Sequence, residues 1–185
     1  MKKILIFGVG LIGGSIALKI RQKKIFDQII GVGRSGGTSL TSYVSTGMLD
    51  VAIEEASEEI ASTDLIIIAT PVAQTKKILS DIYPFVNEKS VITDVGSTKS
   101  DVMAAAKESL KEKFNQFIGS HPIAGSEKHG ANAANYQLFE NKDIIITPHH
   151  NSLNSTIDYL RKFWVSLGGR VSNMTPEIHD EIFST

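Results

Sequence analysis

The stretch 3-KILIFGVGLIGGSIALKI-20 decides the fold of this 185-residue chain. A short, almost continuous apolar run ends at Gly8, and a helix-forming segment starts within three residues of it. Gly8, Gly10 and Gly13 form G-x-G-x-x-G at that junction, the strand-to-helix context of a dinucleotide-binding turn. Gly8 suits the tight turn, Gly10 leaves room for backbone to approach a pyrophosphate, and Gly13 lets the helix pack closely on the strand. Leu11 and Ile12 open the helix, whose N-terminal N–H groups and partial positive charge favour phosphate.

Outward from this junction the pattern repeats. Residues 2–8, 28–33, 64–70, 90–95, 116–120 and 143–148 read as strands, and their unbroken apolarity points to a parallel sheet covered on both faces. Segments 12–24, 72–83, 99–114 and 152–169 carry apolar residues at helical spacing, Trp164 among them as a core residue. The expected fold class is therefore α/β, a Rossmann-type doubly wound, mostly parallel sheet with helices on both faces. In such sheets ligands collect along the edge formed by the strand C-termini. No repeat, low-complexity tract or long linker divides the chain. Thr175 as cap and Pro176 at the first helical position start one more helix close to the C-terminus. The expected organisation is a cofactor-binding catalytic domain over 1–172, with 173–185 opening a helix that leads to an absent or truncated second domain.

Composition narrows the function classes. A formal net charge of −1 without a Lys/Arg block argues against nucleic acid and membrane partners. The chain has no cysteine, and its five histidines show no metal-binding spacing, so no metal site is expected. His149 and His150 read as loop residues before a helix. The two lysines ahead of the first apolar run do not make a secretory signal, because glycines interrupt the run early, and a cytoplasmic location follows as the default.

The strand-end loops carry the candidate chemistry. After the second strand, "GVGRSGGT" lacks the acid that would bind a ribose 2′-hydroxyl, while Arg34, Ser35 and Thr38 offer a cation and hydroxyls to a 2′-phosphate. NADP is expected over NAD. Thr70 and Pro71 end the next strand, where Thr70 either lines the cofactor or caps a helix. Gly96 and Ser97 follow the strand at 90–95, where Ser97 is either a site residue or an N-cap. His121 leaves the strand at 116–120 toward the same edge, and its ordinary pKa suits it to take a hydroxyl proton as hydride leaves the attached carbon. Glu127 and Lys128 lie in a loop that can close over a charged substrate, and His179 faces either the site or solvent. Asp180 suits the first turn of its own helix.

The segments "GVGLIGGSIAL", "ATPV", "TDVGSTKS", "GSHPIAGSEKHG" and "TPEIHD" resemble, in order and spacing, the prephenate and arogenate dehydrogenases of tyrosine biosynthesis. The resemblance implies oxidative decarboxylation of prephenate or arogenate to 4-hydroxyphenylpyruvate or tyrosine. It implies that His121 hydrogen-bonds the substrate's ring hydroxyl, that Ser97 orients His121 and the nicotinamide, and that Glu127 lies at the pocket entrance. The "GVGR" stretch resembles the family's NADP-preferring members. The family continues into a helical domain that forms a homodimer and supplies cationic substrate contacts. Two alternatives stand beside this reading: an NADP-binding module without catalysis, and a related NADP-dependent 3-hydroxy acid dehydrogenase, which would not explain "SHPIAG".

Overall fold

The structure, a computed structural model, describes residues 1–33, 40–55, 58–124 and 133–183. Strands β1 (Lys3–Phe7), β2 (Gln28–Val32), β3 (Val51–Ile53), β4 (Leu65–Ile68) and β5 (Val91–Asp94) form one parallel sheet in the order β3-β2-β1-β4-β5. A second sheet, ordered β6-β7-β8, contains β6 (Gly119–Pro122), β7 (Asp143–Thr147) and β8 (Arg170–Asn173). A parallel bridge between Ile92 and Phe117 sets the chain entering β6 alongside β5. The C-terminal end of β6 therefore points the same way as those of β1, β4 and β5. β7 runs antiparallel to β6, and β8 parallel to β7.

Helices α1 (Leu11–Lys23), α2 (Leu40–Ser45), α3 (Thr75–Ile82), α4 (Ser100–Leu110), α5 (Asn154–Ser166) and α6 (Pro176–Phe183) cover the sheets. Strand alternation sorts the core into two layers, because successive side chains point to opposite faces. Ile4, Ile6, Ile29, Leu65 and Ile67 pack toward Ile16, Ile20 and Trp164, whereas Leu5, Phe7, Ile30, Ile66 and Ile68 pack toward Leu79, Val102 and Leu110. Trp164 is fully buried, and its Nε1 donates to Ser120 Oγ at 3.1 Å, which satisfies the indole N–H that burial would otherwise strand.

Every strand expected from the sequence is present, while β3, β8 and the short α2 were not expected. β3 and β8 are edge strands of three and four residues whose side chains are mostly not buried, so they carry no continuous apolar run. The helix expected over 99–114 ends at Leu110. Lys111 takes a positive φ of 51°, and a 3-10 segment continues to Gln116. β6 runs on through His121 and Pro122, and Pro122 pairs with Ile144. Thr175 caps α6 as expected, its Oγ1 accepting the Ile178 N–H at 3.3 Å.

The turn after β1 is held by two close approaches. Gly8 has φ +83°, a conformation that side chains disfavour, and a Cβ at Gly13 would lie 2.1 Å from the Gly8 carbonyl oxygen. Gly13→Ala is expected to lower stability by about 1–3 kcal/mol in urea titration, because this backbone clash outweighs the ~1 kcal/mol gain in helix propensity. An unchanged midpoint would show that α1 can move off β1.

Candidate active site

Three loops meet at the C-terminal edge of the parallel sheet. In the first, the Gly8 N–H donates to the Val32 carbonyl at 3.0 Å, tying the turn to β2. Gly10 stands at the N-cap of α1, with no side-chain cap and no acid in the first turn. A Cβ at Gly10 would meet nothing within 4 Å, so this backbone faces open space beside the helix N-terminus. Leu11 and Ile12 are half-buried there, and Ile12 packs against the core. The geometry fits a pyrophosphate: a helix N-terminus, backbone facing open space and no acid in the first turn of α1.

The second loop follows β4. Thr70 lies against the glycine turn, its Cγ2 being 2.9 Å from where a Gly8 Cβ would sit. Its Oγ1 is buried without a hydrogen-bond partner, which a ligand hydroxyl or amide would supply. Thr70 is not a helix cap. Pro71 holds that position for the 3-10 turn Val72–Gln74, and no side-chain cap bond is made there. Thr70 and the open face at Gly10 are the observations that fit a dinucleotide.

In the third loop, after β5, the carboxylate of Asp94 is buried. It accepts the Lys99 ammonium, the Gly96 N–H at 2.8 Å and the Ser120 N–H at 3.2 Å. Lys99 is also buried, and desolvation pushes its pKa down against the opposing pull of Asp94 and Asp180. Ser97 is exposed and does not cap α4. That task falls to Asp180 of α6, which accepts the Lys99 N–H at 2.7 Å and the Ser100 N–H at 2.8 Å.

His121 stands next to this junction. Its Nδ1 lies 2.8 Å from His179 Nε2, and His179 Nδ1 lies 2.8 Å from Asp180 Oδ1. His179 is fully buried, so of its two sequence alternatives it faces His121 and not solvent. Phe183 closes the cluster with ring centres 5.8 Å from His121 and 5.0 Å from His179. Burial, then electrostatic interaction with His179 and Lys99, push the His121 pKa from 6.5 down to about 4, with Asp180 opposing. Burial works against ionisation of Asp180. The N–H donors of Ser100 and Lys99 and the His179 ring more than offset it, so its carboxyl stays well below the usual carboxylate range. The arrangement presents a neutral imidazole, able to accept a proton, backed by a carboxylate.

Arg34, Ser35, Thr38, Glu127 and Lys128 lie outside the described residues. His149 is structural: it stacks on Phe114 at 3.8 Å between ring centres, and its Nε2 sits 3.1 Å from the Phe114 carbonyl. Among the described residues no cluster of three metal-ligating side chains occurs, and no helix is long and apolar enough to cross a membrane. The sequence reading missed what Asp94, Lys99 and Asp180 do. An acid and a lysine flanking a glycine turn at a strand end were the available signal for the first two. Asp180 was read as serving its own helix, whereas it serves α4.

The profile of the family described as "Prephenate dehydrogenase, nucleotide-binding domain" matches residues 16–173. The chain belongs to this family. It is 36% identical over 182 residues to the prephenate dehydrogenase of Bacillus subtilis, covering 98% of this chain and 48% of that one. With the cyclohexadienyl dehydrogenase of Zymomonas mobilis it shares 26% identity, covering 99% of this chain and 61% of that protein. The prephenate dehydrogenase of Aquifex aeolicus, solved with hydroxyphenyl propionate and NAD+, superposes with a TM-score of 0.89 at 30% identity. That match covers 100% of this chain and 64% of that one. This chain thus spans about half the length of the Bacillus relative. A 3-hydroxybutyryl-CoA dehydrogenase of Ralstonia eutropha, at 16% identity and a TM-score of 0.66, shares the fold alone.

Gly10→Ala is expected to lower folding stability by no more than about 1 kcal/mol, the N-cap difference between glycine and alanine, while weakening dinucleotide binding at least tenfold, read by fluorescence titration. Equal affinity in both proteins would remove the glycine loop from the cofactor site.

Proposed function

We propose that this chain is the cofactor-binding, catalytic part of an NADP-preferring dehydrogenase that oxidatively decarboxylates prephenate or arogenate. The observation that carries the reading is the seating of His121. It is a half-buried, neutral imidazole at the end of β6, on the edge that also holds the glycine turn and the unpartnered Thr70 hydroxyl. Family membership and the NAD+ bound by the Aquifex relative support a nicotinamide cofactor.

Gly8, Gly10, Leu11, Ile12 and Gly13 hold the pyrophosphate through backbone N–H groups and the α1 dipole. Thr70, Pro71, Gly96 and Ser97 line the ribose and nicotinamide side, while Arg34, Ser35 and Thr38 take the 2′-phosphate. The nicotinamide supplies the hydride acceptor. His121 accepts the proton of the substrate's ring hydroxyl as hydride leaves the same carbon, which generates a ring ketone. The bond to the ring carboxylate then breaks, CO2 departs, and its electron pair aromatises the ring onto oxygen. The His121 imidazolium returns the proton to that oxygen, so the step balances without a further acid. Glu127, Lys128 and the residues around His121 bound the substrate side. Residues 1–172 form this unit, and a homodimer through a further helical domain is part of the proposal for the whole protein.

His121→Asn is expected to reduce turnover with prephenate or arogenate about 10²–10⁴-fold, the usual contribution of a general base, with NADP affinity unchanged. Dinucleotide binding without substrate-dependent reduction by the unaltered protein would instead identify a binding module. Arg34→Ala should weaken NADP at least tenfold and leave NAD within twofold, and equal losses would remove the 2′-phosphate assignment.

The His121 pKa near 4 sets the sign of the pH dependence. The base form is present above that value, so kcat/KM should hold down to about pH 5 instead of failing near 6.5. Between pH 6.5 and 4 the unfolded chain binds more protons at this site than the folded one, so stability falls as pH drops through that window. Across that window the denaturant midpoint of the wild type should fall relative to that of His121→Asn. Parallel curves would assign the acid loss elsewhere.

A further inference from the structure

We propose that His179 and Asp180 are positioning residues that set the tautomer of His121, so that the proton-accepting lone pair is at Nε2. This rests on the reading of His121 as the proton acceptor. Asp180 receives N–H donors from Lys99 at 2.7 Å and Ser100 at 2.8 Å, as an ionised carboxylate does. The remaining partner of Asp180 Oδ1, His179 Nδ1 at 2.8 Å, must then be a donor as well. In a neutral imidazole a protonated Nδ1 leaves Nε2 as the acceptor. His121 Nδ1, at 2.8 Å from that Nε2, therefore carries its proton, and His121 Nε2 carries the lone pair.

The chain of donors has a fixed polarity because it ends on the backbone of α4, whose N–H groups cannot accept. Reversal would turn the His179 Nδ1 lone pair against the Asp180 carboxylate, two acceptors facing each other. His179 and Asp180 occupy successive positions of one helix, so both bonds form together when α6 docks on α4. The base is set only when α6 is seated. When His121 gains a proton at Nε2, its Nδ1–H stays bonded to His179, and the new charge faces the Asp180 carboxylate through that ring.

The test is long-range proton–nitrogen correlation on the 15N-histidine-labelled chain at pH 7.5, with each ring assigned by substitution. His121 should show a protonated Nδ1 and an unprotonated Nε2. His179→Gln keeps an acceptor oxygen toward His121 and should preserve that pattern, whereas His179→Leu and Asp180→Asn should lose it. Turnover should follow the tautomer, falling at least tenfold in the leucine and asparagine variants and recovering in the glutamine variant, with NADP affinity unchanged in all three. Wild-type His121 protonated at Nε2, or an unaltered pattern in folded His179→Leu, would overturn the proposal. Should the expected tautomer be found in a protein that turns over neither prephenate nor arogenate, the reaction assignment fails and the positioning role stands.

Discussion

The carboxylate of Asp94, buried with the Lys99 ammonium, joins the two sheets of this protein. Asp94 ends β5, Lys99 precedes α4, and the same carboxylate takes the N–H of Ser120 from β6. Two charges withdrawn from water cost several kcal/mol each, and only close pairing with further hydrogen bonds offsets that cost. Here the carboxylate also accepts from Gly96, so the loop between β5 and α4 is held at both ends. Removing either partner would leave a charge buried at the seam on which His121 stands.

From this seam the candidate site is assembled by reach across sequence. Thr93 Oγ1, Ser120 Oγ and Trp164 Nε1 form a buried hydrogen-bonded group that locks β5, β6 and α5 together beneath the histidine. On the other side, Asp180 closes the N-terminus of α4 and brings His179 and Phe183 onto the His121 ring. The desolvation that lowers the His121 pKa is thus a product of helix docking, and so is the carboxylate that backs it. Preorganisation of this kind lets one imidazole exchange a proton without rearranging its neighbours.

The glycine turn could be read from residues close together in the chain. "GVGLIGG" marks a strand-to-helix junction because the glycines and the change of hydrophobic period fall within a few positions of each other. His121 could be read as a strand-end histidine for the same reason. The edge strands β3 and β8 could not, since three or four half-exposed residues produce no periodic signal. Asp180 was legible only as an acid in a first turn, because the helix it caps begins 80 residues earlier.

The amino-acid sequence by itself determined the alternation of strands and helices and the glycine turn between β1 and α1. These depend on local periodicity and on backbone conformations that few residue types permit. Tertiary structure alone decided that the last helix folds back onto α4, that His179 points inward, and that Asp94 and Lys99 share a buried contact. Such contacts depend on which surfaces meet when the chain is compact, and no local pattern encodes the distance between positions 121 and 179.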